Sequence, residues 1–212
     1  MKTLRPPDLS RLHALRDLHS ATRHDLASHR DRFDRLANRH SNGSAPRAVV
    51  ARQLFQTPPA LAARLVALLP PVEGLAVLEP SAGLGRLLDA LAPRSPGEVV
   101  AVDASPDCCA ELRRRDGLTV HCGDFLAMQP EALGMFDAIV MNPPFTMRSD
   151  IKHILHATRF LMPGGTLAAL CMDTPHRHAA LHGMAATWEQ IPAGTFRAEG
   201  TDVPTILLSI VK

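Results

Sequence analysis

The chain of 212 residues has no tyrosine, one tryptophan and four cysteines. The cysteines include no C-x-x-C pair, and the two vicinal ones are too close together for an ordinary disulfide; they are Cys108, Cys109, Cys122 and Cys171. This spacing argues against a disulfide framework and against a zinc cluster. We expect reduced thiols and no bound metal.

Long apolar runs are also missing. No segment reaches the roughly 18–20 uncharged apolar residues that a membrane-spanning helix needs, and the first residues lack the apolar stretch of a signal peptide. We therefore expect a cytoplasmic protein without a membrane contact. The hydrophobic fraction of 46% and the charged fraction of 21% are those of a folded globular chain.

Basic charge is concentrated at the N-terminus. Residues 1–52 carry eleven Lys and Arg against five Asp, net +6, which leaves twelve basic and sixteen acidic residues, net −4, for 53–212. Such segregation is typical of a segment that contacts an anionic partner such as nucleic acid, but an Arg-rich surface helix has the same composition. Both interpretations stay open here.

This basic segment has a helical pattern from Asp8 to about Asn38, with a thin stripe of leucines on one face. Arg16, Arg23 and Arg30 recur every seven residues on another face. A linker rich in Ser, Gly and Asn then ends at Pro46. We therefore divide the chain into a basic helical arm with its linker, residues 1–46, and a second domain, residues 47–212.

In the second domain, apolar strand patterns alternate with helical ones. Strands are predicted over 75–78, 99–102, 118–122, 136–141 and 165–171, and helices over 58–69, 85–91, 106–115 and 149–161. This order predicts a Rossmann-like parallel sheet covered on both faces, with ligands at the carboxyl ends of its strands. After a helix over 176–188, the segments 191–196 and 205–211 are expected to be adjacent antiparallel strands.

A glycine loop follows the first predicted strand, in the segment Glu79-Pro80-Ser81-Ala82-Gly83-Leu84-Gly85. Gly83 and Gly85 let the backbone approach a ligand, and the next helix offers free N–H groups. Eighteen residues later, Asp103 ends the second strand, where a carboxylate binds ribose hydroxyls. Nicotinamide, flavin and S-adenosylmethionine (SAM) sites share this pattern, although the third glycine of the dinucleotide fingerprint is absent. A plain strand-to-helix turn is the alternative.

The tetrapeptide Asn142-Pro143-Pro144-Phe145 follows the predicted strand 136–141. Together with residues 79–85, it resembles the class I SAM-dependent methyltransferases that modify N6 of adenine and related planar nitrogens. An amine conjugated to a ring is a poor nucleophile, and the carbonyl oxygens of the Asn142 side chain and the Pro143 backbone can accept its two hydrogens. Phe145 can stack on the base. A turn that ends a buried strand is the alternative.

Two further segments add to this resemblance. Phe55-Gln56-Thr57-Pro58 is similar to the F-x-T-P segment of the family, which implies that Phe55 and Thr57 close over the cofactor; the alternative is a Thr N-cap before a helix that begins with proline. Gly123-Asp124-Phe125 resembles the position that holds the cofactor's adenine, and a capped turn is its alternative. The implied cofactor-binding residues are Phe55, Thr57, Glu79, Pro80, Ser81, Gly83, Gly85, Asp103, Asp124, Phe125 and Asn142.

The resemblance covers residues 53–212 and implies a seven-stranded sheet with a reversed last strand and SAM as cofactor. It favours methylation of N6 of adenine in DNA. Methylation of an adenine or guanine amino group in RNA, a protein glutamine amide, and a catalytically silent SAM-binding module remain alternatives. Only about 20 residues separate Phe145 from the predicted strand 165–171, so we expect a small or external recognition element there. We expect the basic arm, with Arg148 and Lys152, to contact phosphates. Solvated surface charges are the alternative for those two residues.

Two further clusters have simpler interpretations. His178 and His182 have helical spacing for a metal pair, but the sequence supplies no third ligand beside them. The run Arg113-Arg114-Arg115 is predicted to be an exposed last turn of helix 106–115. The oligomeric state does not follow from the sequence.

Overall fold

The structure is a computed structural model that describes residues 56–194 and 204–212. The predicted basic arm with Arg16, Arg23 and Arg30 lies outside these residues, as does Phe55, so the division at residue 46 stays a prediction. No helix within the described ranges is long and apolar enough to cross a membrane.

One sheet organises the described residues. Its order is β3-β2-β1-β4-β5-β7-β6, in which β1 to β5 pair in parallel and β7 runs antiparallel to both its neighbours. The predicted Rossmann-like sheet with an antiparallel last strand is therefore confirmed. The strands are β1 (Ala76–Glu79), β2 (Glu98–Asp103), β3 (Leu118–Cys122), β4 (Phe136–Met141), β5 (Leu161–Met172), β6 (Thr187–Ile191) and β7 (Thr205–Val211).

Helices cover both faces of this sheet. Neighbouring strand residues point to opposite faces, so Val77 packs in one apolar core with α1 and α2, and Leu78 packs in another with α5 and α6. This two-sided burial explains why the central strands are mostly apolar, whereas the edge strands β3 (LTVHC) and β6 (TWEQI) contain polar residues. The helices are α1 (Pro59–Ala67), α2 (Arg86–Leu91), α3 (Pro106–Leu112), α4 (Pro130–Leu133), α5 (Ser149–Ala157) and α6 (Pro175–Leu181).

The sequence-based boundaries are wrong at the last helix. The predicted helix 176–188 ends at Leu181, and a single 3₁₀ turn over His182–Met184 leads into β6. Gly183 weakens the helix at this point, and Trp188 pairs with Leu208 of β7 instead. The strand expected over 191–196 therefore begins at Thr187. Its antiparallel pairing with β7 is confirmed, with β6 as the edge of the sheet.

The glycine pair before the fifth strand is part of that strand. Leu161 already pairs with Phe136, and the register then shifts so that Thr166 pairs with Ala138. The strand predicted over 165–171 therefore begins earlier, at Leu161, and Pro163-Gly164-Gly165 forms an irregularity within β5. A Cβ atom on Gly165 would lie 2.9 Å from the carbonyl oxygen of Met162 and 3.0 Å from that of Asp137 in β4, so the close approach of two backbone segments requires glycine here.

Candidate cofactor and methyl-transfer site

A cavity of about 520 Å³ opens at the carboxyl ends of β1, β2, β3 and β4, a volume typical of small-molecule sites. It lies where the strand order reverses between β1 and β4, the position at which open α/β sheets bind ligands. Predicted site residues from five separate segments meet in its wall. They are Thr57, Glu79, Pro80, Ser81, Gly83, Asp103, Asp124, Phe125, Asn142, Pro143, Pro144 and Phe145.

The glycine loop takes the left-handed backbone conformation that its sequence predicts, with φ of +54° at Gly83 and +83° at Gly85. Gly85 is the N-cap of α2. The N–H of Gly83 donates to Oδ2 of Asp103 at 2.7 Å, and the N–H of Ser105 donates to Oδ1 at 2.7 Å. Asp103 therefore ties the β1 loop to the β2 loop. Each carboxylate oxygen has a second lone pair for a further donor.

Glu79 is a buried carboxyl in the cavity wall. Its side chain is only 1% exposed, and Oε2 has no hydrogen-bond partner among the described residues. Burial raises the pKa of Glu79 well above its usual range, while the nearby Arg115 guanidinium acts in the opposite direction. A buried acceptor of this kind fits a cationic or hydrogen-donating group of a ligand.

Arg115 corrects one sequence prediction. Helix α3 ends at Leu112, and the Arg115 side chain turns back towards the glycine loop. Its Nη2 donates to the carbonyl oxygen of Leu84 at 2.8 Å and its Nη1 to Asp89 at 2.7 Å. Arg115 is thus not a plain solvent-exposed end of a helix but a support of the loop. The run of three arginines gave no signal that the third one has partners 26 and 31 residues away.

Asn142 connects three of the predicted segments. Its Nδ2 donates to the hydroxyl oxygen of Thr57 at 3.0 Å, and its backbone carbonyl accepts from the Ser81 hydroxyl at 3.2 Å. The Thr57 hydroxyl does not cap a helix, because α1 has Pro58 as its N-cap and no side-chain cap. The N-cap alternative for Thr57 is therefore wrong.

Asp124 and Phe125 line the cavity after β3. Oδ1 of Asp124 accepts from the Leu126 N–H at 3.0 Å and caps a short 3₁₀ turn, so the capping alternative is realised. The same residue is exposed on the cavity side, and one bond leaves acceptor capacity on a carboxylate. Phe125 is buried, with its ring centroid 4.9 Å from that of His156 and 5.1 Å from that of Phe160.

His153 also lines the cavity, and the sequence analysis did not find it. Its Nδ1 lies 2.8 Å from the carbonyl oxygen of Ser149, a contact that makes Nδ1–H the donor. Burial lowers the pKa of His153 and favours the neutral ring. The helical pattern of 149–161 did not indicate which histidine of α5 faces the cavity.

The two predicted phosphate contacts lie outside the cavity wall. Arg148 is exposed and places Nη2 3.1 Å from Nε2 of His176, and Lys152 is exposed on α5. The predicted histidine pair has other neighbours. His178 of α6 contacts Asp173 Oδ1 at 2.8 Å, and its ring packs with that of His182, in the following 3₁₀ turn, against Trp188.

Residues 77–165 match the family model described as a methyltransferase domain. The match begins in β1, ends in β5, and so includes the loops that follow β1, β2, β3 and β4. No curated protein matches this sequence.

Solved structures share the fold at low sequence identity. One is an assigned RNA methyltransferase from Pyrococcus horikoshii, with 19% identity, a TM-score of 0.57, and coverage of 74% of this chain and 86% of that one. TrmN from Thermus thermophilus has 22% identity and a TM-score of 0.59, covering 73% and 48%. A modification subunit assigned to a type I restriction enzyme from Vibrio vulnificus has 15% identity and a TM-score of 0.60, covering 98% and 51%. The chain spans about half the length of the last two proteins.

Proposed function

We propose that this chain is a SAM-dependent methyltransferase that modifies the exocyclic N6 amino group of adenine in DNA. The observation that carries this proposal is the position of Asn142-Pro143-Pro144-Phe145. These residues follow β4 and line a cavity whose wall also contains Glu79 and Asp103, and Thr57 and Ser81 hold Asn142 in place. The match of residues 77–165 to a methyltransferase domain supports the same reaction class.

The residues of the cavity fit SAM. Bound there, SAM would supply a methyl group activated by its positively charged sulfur. Glu79 offers a buried oxygen without a partner in the described chain, which suits the ammonium group of the methionine portion. Asp103 retains a lone pair on each oxygen for the two ribose hydroxyls. Asp124 and Phe125 would hold the adenine by a hydrogen bond and by packing.

The tetrapeptide suits a planar amine as the methyl acceptor. The Asn142 amide oxygen and the Pro143 carbonyl accept the two amine hydrogens and favour the pyramidal nitrogen, whose lone pair can then form the new N–C bond as the S–C bond breaks. Proline has no N–H to compete at this point. The amine loses one proton after transfer, and alignment of the reacting atoms contributes more than a strong base would.

Nucleic acid is the substrate class that the similar folds support. Those proteins are described as an RNA methyltransferase and as the modification subunit of a restriction enzyme. DNA remains our first choice because of the F-x-T-P and Asn-Pro-Pro-Phe segments and the basic arm. An adenine or guanine amino group in RNA is the alternative substrate. A catalytically silent SAM-binding module is the alternative of a different class, and the complete tetrapeptide argues against it.

The test is transfer of a tritiated methyl group from SAM to duplex DNA, single-stranded DNA, total RNA and protein in parallel. We expect labelled N6-methyladenine from DNA, identified by mass spectrometry of the hydrolysed product. Asn142→Ala should lower the single-turnover rate by roughly 100-fold or more, with little change in SAM affinity, because it removes an acceptor needed mainly in the transition state.

Gln190→Ala is the matched control, since it removes a side-chain amide on β6 that contacts Asp173. It should keep the wild-type rate. If only RNA becomes labelled, RNA and not DNA is the substrate. An Asn142→Ala protein with full activity would show that the tetrapeptide is only a turn.

A further inference from the structure

Arg177 and Asp150 form a buried ion pair behind the tetrapeptide. Their side chains are 8% and 0% exposed. Nε of Arg177 donates to Oδ2 of Asp150 at 3.0 Å, and Nη2 donates to Oδ1 at 2.9 Å. This two-bond geometry is specific to the planar guanidinium group, and a lysine ammonium cannot reproduce it.

Two further hydrogen bonds of the pair reach the backbone around the site. Nη2 of Arg177 also donates to the carbonyl oxygen of Phe145 at 3.2 Å. Asp150 accepts from the N–H of Met172, at the end of β5, at 3.2 Å. The pair therefore connects the last residue of the tetrapeptide with α5, α6 and the end of β5.

A strained turn lies between the two points that the pair holds. Met147 and Arg148 are non-glycine residues with φ of +48° and +60°, a conformation that persists when the surrounding structure enforces it. Phe145 precedes this turn and Asp150 follows it. Arg177 contacts both, so one guanidinium group fixes the two ends of the segment.

Stability alone is a poor reason for this arrangement. Burying two charges costs desolvation energy, and apolar replacement of a complete buried pair is often neutral or stabilising. What an apolar pair cannot supply is a donor aimed at the Phe145 carbonyl. We propose that Arg177, held by Asp150, is a positioning residue that keeps Asn142–Phe145 in the geometry needed for methyl transfer. This inference rests on the proposed function.

The first test is Arg177→Lys, which keeps the charge beside Asp150 but loses the fork that reaches Phe145. We expect the single-turnover rate to fall by about 10- to 100-fold, the size of effect that a small misplacement of reacting groups produces. SAM affinity should change by less than about threefold, since the guanidinium does not line the cavity. Hydrogen exchange of the backbone amides in segment 145–150 should become faster.

The second variant replaces the whole pair, as Arg177→Met with Asp150→Leu, so that no charge is left buried alone. Its melting temperature should stay near that of the wild type. Its single-turnover rate, and the hydrogen exchange of its backbone amides in 145–150, should match those of Arg177→Lys. Arg94→Lys is the control: Arg94 donates to the carbonyls of Leu69 and Pro70 at 3.2 and 2.7 Å and contacts no residue of the tetrapeptide. The control should keep the wild-type rate.

Unchanged rate and exchange in Arg177→Lys would overturn the positioning role. Equal reductions of rate in Arg177→Lys and Arg94→Lys would also overturn it, because a general decrease in stability would then explain both. Failure of the wild-type chain to methylate any substrate would refute the proposed function instead. In that case, hydrogen exchange in 145–150 would still decide whether the pair holds the loop.

Discussion

Replacing Glu79 by Gln tests whether this carboxylate binds the ammonium group of SAM. Gln keeps the size of the side chain but cannot ionise, so Oε2 of Glu79 loses its ability to pair with a cation. That oxygen is buried in the cavity wall and has no partner among the described residues. A hydrogen bond to a charged group contributes about 1.5–3 kcal/mol. We therefore expect Glu79→Gln to weaken SAM binding by roughly 10- to 150-fold.

The same variant should change the pH dependence of stability. Burial raises the pKa of Glu79 in the folded state above its usual value of 4.5. The folded carboxyl therefore holds its proton at pH values where the unfolded one has lost it, and stability falls as pH rises through the folded pKa. Gln cannot titrate. The free energy of unfolding of Glu79→Gln should thus exceed that of the wild type increasingly as pH rises above about 4.5.

The affinity of the wild type for SAM should change with pH in the opposite direction from its stability. The ammonium group needs an ionised carboxylate, so wild-type affinity should increase as pH rises through the raised pKa of Glu79, as long as the α-amino group of SAM stays protonated. Binding should release a proton at pH values where the free carboxyl is still protonated. Calorimetric titrations at several pH values above 4.5, each in two buffers of different ionisation enthalpy, measure this release. Glu73→Gln, the same change at an exposed position, is the control and should behave as wild type. Equal SAM affinity and equal proton release in Glu79→Gln and the wild type would refute this reasoning.

Two further changes test the cofactor loop and the arm. Asp103→Ala should weaken SAM binding by about 1–3 kcal/mol, the cost of unpaired polar groups, and calorimetry decides this; preferential binding of NAD would remove the SAM assignment. Changing Arg16, Arg23 and Arg30 together to Gln should leave SAM binding intact. The slope of the logarithm of duplex DNA affinity against the logarithm of salt concentration should become shallower by about 0.9 for each phosphate that the arm no longer neutralises. DNA affinities at several salt concentrations measure this, and superimposable slopes would reject a role of these arginines in nucleic-acid binding.

The sheet and the location of the cavity were predictable because both follow from local patterns. A strand buried on both faces is a short apolar run, and the residues just after parallel strands meet at one edge of the sheet. Glu79, Asp103 and Asn142 each follow or end such a run. Their meeting in one cavity therefore required only that β1, β2 and β4 run in parallel in one sheet, which the alternation of strands and helices predicts.

The parts that sequence analysis missed depend on distant partners. Trp188 has a place in a helical pattern, but β7 offers it a strand partner, and tertiary pairing outweighs helix propensity. Arg115 and Arg177 are long side chains whose partners lie about thirty residues away. Nothing in their immediate neighbours distinguishes them from the exposed Arg114, which forms an ion pair with Glu111 one turn away.

The composition of the tetrapeptide explains why such distant donors are needed. Two consecutive prolines remove two backbone N–H groups, so the segment has little capacity to stabilise itself by its own turn hydrogen bonds. Other residues supply donors from outside: the Ser81 hydroxyl bonds the carbonyl of Asn142, and Arg177 bonds the carbonyl of Phe145. These two carbonyls flank the proline pair. The protein thus fixes both ends of the tetrapeptide, and the carbonyl of Pro143 between them is the one that our proposal assigns to the substrate amine.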